Sequence, residues 1–226
     1  MTDPGDPNAL LEPLRLAIYR HFADTGIAPS REALCVELET SPGDLAEAIA
    51  MLADARLVVL DDHGSIVMAH PFASRSFGFS VMGGRSLYWG GCAWDSFAIP
   101  HLVQHEPRVL IATTCPSCSR ALAWVVDRDA PPLGDELVRF ATPAARAWDD
   151  VIATCENQRI FCSQECIDRF VVERNEPAGT VFDLSTLWKL ASGWYAGRLD
   201  PDYQRREPAA AAQYFRDAGV PSSFWS

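Results

Sequence analysis

Two pairs of cysteines constrain this chain more than anything else in it. Cys115 and Cys118 stand in CPSC, and Cys162 and Cys166 in FCSQEC. The runs RVLIATT (108–114) and ALAWVVD (121–127) read as strands on either side of the first pair, which puts CPSC in a turn between them. RIFC (159–162) reads as a strand leading into a helix, SQECIDRFVVER. A thiol pair in a tight turn and a second pair at a strand–helix junction can converge on one metal ion. The plainer alternative is four buried small hydrophobes.

The chain has seven cysteines, an odd number, and in a reducing compartment metal or catalytic roles are expected of them ahead of a disulfide framework. Its first residues, MTDPGDPNALLEP, lack the basic flank and apolar core of a secretory signal. No stretch approaches the roughly 20 apolar residues that span a bilayer. The expectation is a cytoplasmic protein with no membrane partner. With 226 residues, 48% of them hydrophobic, the chain can bury a sizeable core. A net charge of −11 argues against a nucleic-acid partner, because phosphate binding needs clustered Lys and Arg.

Residues 1–9 are rich in Pro, Gly and Asp and read as a disordered tail. Leu10, Leu14, Ala17, Ile18 and Phe22 form a helical stripe. Ser30 and Ser41 stand as N-caps for two further helices, the second with Pro42 at its first position. Cys35 falls on the apolar stripe of the middle helix. LVVL (57–60) and SIVMA (65–69) flank an Asp/Gly turn and read as a hairpin. Three helices and a hairpin give residues 10–72 a winged-helix-like outline. The third helix holds Asp44, Glu47 and Asp54 against Arg56 as its basic residue, so it is unsuited to the major groove. The module is therefore expected to pack or interact, not to read DNA. A mixed α/β domain is expected over 73–226, with helices at 184–197 and 207–218, and the whole chain is classed α+β.

The stretch GGCAWDSFAIPHL (90–102) places Cys92 three residues before Asp95. On a helix the two side chains share a face. A thiol needs somewhere to send its proton, and a neighbouring carboxylate can take it and later return it. The alternative is a buried structural thiol with Asp95 as a cap. Trp89, Trp94 and Trp124 either wall that pocket or fill the core. His21, His63, His70, His101 and His105 are scattered, and Cys155 has no paired neighbour; it is assigned no role beyond a spare thiol. Nucleophile-elbow, Walker and dinucleotide fingerprints are absent from the sequence.

LYWGGCAWDSFAIPHL and Phe161-Cys162 together resemble the organomercurial (alkylmercury) lyase family. The resemblance implies an enzyme that cleaves a carbon–mercury bond by protonolysis. By that likeness Cys92 and Cys162 bind mercury as thiolates and Asp95 donates the proton, while Cys115 matches a structural cysteine. No cofactor is implied; the partners are an organomercurial substrate and small thiols that carry the product away. CPSC…IFCSQECIDRF also resembles treble-clef heavy-metal-binding segments, which implies a treble-clef-like core with zinc or copper on Cys115, Cys118, Cys162 and Cys166. The two likenesses compete for Cys162, since a thiol closed into a four-cysteine site is not a free nucleophile. The alternative function is a four-cysteine metal protein on the same fold, either an enzyme of different chemistry or a non-catalytic sensor or chaperone. Nothing in the sequence speaks to the oligomeric state.

Overall fold

Serine caps start the N-terminal helices where the sequence asks for them. The structure is a computed structural model that describes residues 7–225, with only the backbone of Pro7 and Asn8. Helix α1 (Pro7–Thr25) begins three residues before the expected stripe, and residues 1–6 of the expected tail lie outside the described residues. Ser30 accepts the Ala33 N–H at the start of α2 (Arg31–Glu37), and Ser41 accepts the Asp44 N–H at the start of α3 (Pro42–Asp54). Leu14, Ile18 and Phe22 of α1 are buried against Leu45, Ile49 and Leu52 of α3. Cys35, expected in the core, is only half-buried at its edge.

The hairpin joins β1 (Val59–Leu60) to β2 (Ile66–Ala69). Asp61 Oδ1 shapes its turn by accepting the N–H groups of His63 at 2.9 Å and Ser65 at 2.8 Å. The chain then adds β3 (Phe72–Ala73), β4 (Phe79–Met82) and β5 (Leu87–Gly90), three strands that no periodicity announces. After the central helix α4 (Ala93–Leu102) come β6 (Arg108–Thr114) and β7 (Ala121–Asp127), the pair expected around CPSC. All seven strands form one antiparallel sheet in the order β1-β2-β3-β5-β4-β6-β7. The expected boundary at residue 72 thus falls inside β3, and the hairpin is hydrogen-bonded into the sheet of the following region.

A second, three-stranded sheet has the order β10-β8-β9, from β8 (Leu137–Phe140), β9 (Gln158–Phe161) and β10 (Thr180–Asp183). Between its strands lie α5 (Val151–Glu156), capped by Asp150, and α6 (Gln164–Arg174), capped by Ser163. Helices α7 (Leu184–Trp194) and α8 (Pro208–Ala218) close the fold. The architecture is α+β, as expected.

Helix α4 is buried on nearly every side, from Ala93 through Pro100, against α7 and both sheets. Its sequence is apolar all round for that reason. Pro100 sits in its last turn, where the N–H it lacks is the one that would reach the Ser96 carbonyl. Over its N-terminus packs an aromatic cluster: Trp94 lies 4.9 Å from Trp194 of α7, and Trp194 lies 5.0 Å from Phe215 of α8, ring centre to ring centre.

Candidate active site and a four-thiol cluster

The chain enters α4 through Gly90-Gly91, and both glycines are required by what packs on them. A Cβ on Gly90 would meet the backbone N of Ser96 at 2.9 Å, and one on Gly91 would meet Asp95 Oδ2 at 2.6 Å. Cys92 is the N-cap residue, extended at φ −158°, and its sulfur accepts the Asp95 N–H at 3.4 Å. The Cys92 thiol donates in turn to Asp95 Oδ2 at 3.1 Å. Both side chains are buried, Asp95 completely.

Three further residues surround this pair, and each comes from a distant part of the chain. Tyr195, just past α7, donates its phenol hydrogen to Asp95 Oδ1. Burial and the Asp95 charge hold that phenol well above its ordinary range, so it stays a donor. His70, between β2 and β3, sets Nε2 at 4.0 Å from Asp95 Oδ2 and 3.5 Å from the sulfur of Cys155. Cys155, on α5, is buried, and its thiol also meets that of Cys92.

The environment drives the two thiols apart. Burial, with the neighbouring Cys155 and Asp95 charges, pushes Cys92 well above the ordinary thiol range. The Cys92 hydrogen bond and the His70 contact outweigh burial at Cys155 and bring it down to about 7. Burial works against a proton on His70, but Asp95 and Cys155 together raise its pKa above the ordinary value. Behind His70 lies Arg198, fully enclosed, which donates to the His70 carbonyl and to the Tyr19 hydroxyl, both at 2.8 Å.

These groups face one cavity of about 390 Å³. That lies within the usual range for a small-molecule site. Trp94, Trp148, Trp194, Phe215 and Phe224 give it aromatic walls. Trp89 and Trp124 lie away from it. His101 packs against Trp188, with burial lowering its pKa to about 4, and His105 is exposed; neither reaches the site.

Cys162 is not among the cavity residues. It sits with Cys115, Cys118 and Cys166, all four sulfurs within 4.8 Å of one another and Cys118 at 3.5 Å from Cys162. Tetrahedral zinc with bonds of about 2.3 Å to sulfur sets its sulfurs about 3.8 Å apart, so the set fits that ion. CPSC forms a knuckle: the Ser119 N–H bonds the Cys115 carbonyl at 2.9 Å, and Ser119 takes a left-handed φ of 61°. Backbone N–H groups of Cys118, Cys162 and Ser117 overcome burial and hold Cys115 at about 7. Burial and the adjoining thiols push Cys162 up to about 12. A tight thiol group of this kind calls for a cation before all four can ionise.

The sequence therefore anticipates the meeting of Cys92 with Asp95 and the convergence of the four thiols. It does not anticipate Cys155, His70, Tyr195 or Arg198 at the cavity. Cys155 carried one usable signal, a thiol with no neighbour. The other three carried none, since the β2–β3 connection brings in His70 and the segment after α7 brings in Tyr195 and Arg198 from far along the chain.

Paired thiols beside a buried carboxyl group, enclosed by aromatic walls, make a site suited to a soft electrophile. The sequence profile described as alkylmercury lyase matches residues 73–196, more than half of the chain, and the chain belongs to that family. Its activity is that of a carbon–mercury lyase. Among solved structures, it is similar to one described as the mercury-bound form of MerB2, at 17% identity and a TM-score of 0.60. The likeness covers 82% of this chain and 91% of the other. No curated protein matches.

Proposed function

We propose that Cys92, Cys155 and Asp95 carry out the cleavage, with Cys155 in the place the sequence reading gave to Cys162. The observation that carries this is one cavity shared by Cys92, Asp95 and Cys155, from which Cys162 is absent. Cys92 passes its proton to Asp95, 3.1 Å away, and its thiolate takes the organomercury cation. Cys155, already near its thiolate form at neutral pH, adds as the second sulfur. The second sulfur raises electron density at mercury and weakens the carbon–mercury bond. Asp95 returns its proton to carbon as the bond electrons leave with it. The balance is R–Hg⁺ plus two thiols giving R–H, a mercury dithiolate and one proton. Tyr195 holds Asp95 toward the thiols throughout. Small cytoplasmic thiols then exchange the mercury away.

The four-thiol cluster supports a second assignment: a structural zinc on Cys115, Cys118, Cys162 and Cys166, with copper as the other candidate ion. We read the knuckle, β9 and α6 around it as treble-clef-like, and α1–α3 with the β1–β2 hairpin as a winged-helix-like packing module. No described helix is long and apolar enough to cross a membrane.

Single alanine variants test the roles, with phenylmercury as substrate. Cys92→Ala, Asp95→Ala and Cys155→Ala should each abolish benzene release. Cys162→Ala should keep the chemistry in whatever fraction stays folded. Full activity in Cys155→Ala, with loss in a folded Cys162→Ala, would return the second thiol role to Cys162. Metal binding with no cleavage in the unaltered protein would favour the sensor or chaperone reading.

A further inference from the structure

Four arginines line the cavity: Arg56, Arg198, Arg205 and Arg206. Asp95 is the only carboxylate among the described lining residues, and it is engaged by Cys92 and Tyr195. The described ion pairs of arginine involve Arg15, Arg120, Arg139 and Arg146, none of them at the cavity. The four lining guanidinium groups thus have no carboxylate of their own, in a chain whose net charge is −11. Acidic side chains were available in number and are not used here.

The arginines are also held in place. Arg206 donates to the Gly193 carbonyl at 2.8 Å and lies over the Tyr214 ring at 4.7 Å. Arg205 and Arg56 lie over the Trp148 ring, at 5.4 and 5.7 Å. Partial burial against the cavity wall and the charges of Arg198 and Arg56 lower the Arg205 pKa. Arg56, Arg205 and Arg206 are exposed at the cavity mouth, and Arg198 is buried at its floor.

Resting on the lyase reading, we propose that the organic group cleaved from mercury is aromatic and anionic. Its ring lies between the aromatic walls, and its carboxylate or similar acid group meets Arg205 and Arg206 at the mouth. Two physical arguments join here. A bare organomercury cation gains nothing from four unpaired guanidinium groups and is repelled by them. A ring bearing an anion removes that repulsion and supplies the planar oxygen pair that arginine binds in a fork. The reacting carbon, at the far end of the ring, then faces Cys92 and Cys155.

The test compares 4-hydroxymercuribenzoate with phenylmercury, which differ by one carboxylate. The expected result is a kcat/KM at least about tenfold higher for the benzoate, and a ratio falling toward one in Arg205→Gln/Arg206→Gln. These two side chains are exposed, so their exchange leaves the core alone; the melting temperature checks this. A ratio near one in the unaltered protein, or a ratio unmoved in the double variant, overturns the proposal and leaves the lyase reading standing. If the arginines instead serve an anionic thiol, the ratio stays near one while glutathione-driven mercury release slows in the variant, which also overturns it. Cleavage of neither substrate would sink the lyase reading. Benzoate binding, followed by tryptophan fluorescence, then decides the subsite: binding weakened in the double variant supports it, and no binding overturns it.

Discussion

Replacing His70 with glutamine should displace the pH dependence of cleavage toward alkali. His70 Nε2 is 3.5 Å from Cys155 Sγ; burial works against its proton, but Asp95 and Cys155 raise its proton affinity above the ordinary value, and its hydrogen bond and charge in turn favour the Cys155 thiolate. Cys155 is lowered to about 7 from an ordinary 9.0, so about half of it is thiolate at pH 7, against roughly 1% without the shift. Losing the whole shift would cost about 50-fold at pH 7 in a step that needs the thiolate. The Cys92 contact is the larger cause and survives in the variant, so the expected loss is smaller. A displacement of about one unit corresponds to about fivefold at pH 7. The sign follows from the contact: His70 lowers Cys155, so removing it disfavours the thiolate, and the variant needs higher pH and catches up with the parent there. The assay is benzene release from phenylmercury in excess thiol, from about pH 6 to about pH 10, with thiol alkylation by iodoacetamide as a second readout. Superimposable profiles for the two proteins would refute the reasoning, as would an equal loss at every pH.

Metal analysis of protein purified under reducing conditions should find about one zinc per chain, and Cys118→Ser should lose it; absence of metal from the unaltered protein would remove that assignment. Gly91→Ala sets a methyl group 2.6 Å from Asp95 Oδ2, and displacing the carboxylate should cost about 100-fold in kcat with little change in melting temperature. An activity within a few-fold of the parent would show that Asp95 does not need its present position. Phe97→Ala empties a fully buried site on α4 and should destabilise the fold by about 3–5 kcal/mol in urea unfolding. Duplex DNA should not bind the N-terminal module; salt-sensitive binding near physiological ionic strength would contradict the reading of its acidic third helix.

Much of the local structure was legible because its signals lie within a few residues of one another. Ser30, Ser41 and Pro42 start helices by satisfying or lacking backbone N–H groups, and Asp61 with Gly64 turns the hairpin. β6 and β7 alternate buried and exposed residues along seven positions each, so their period is readable. β3, at two residues, is too short to carry a period. Its place in the sheet is settled by Met68 and Ala69 on one side and Trp89 and Gly90 on the other. β8 and β10 are four residues each and are recognisable only as partners in one sheet.

The sequence by itself determined the pairings that spacing controls. Three residues on a helix bring Asp95 to Cys92, and two short cysteine motifs at the ends of strands bring four sulfurs together. The tertiary structure alone decided which thiol stands opposite Cys92. Cys155 and Cys162 are seven residues apart, but the turn after α5 and the strand β9 lie between them. The helix keeps Cys155 against His70 and the cavity, and the strand carries Cys162 to the knuckle of β6 and β7. Chemistry in sequence is the same for both: a thiol after an apolar run. The difference lies in which elements pack on each, and that is set by long-range strand pairing and the burial of α4, which no local pattern encodes.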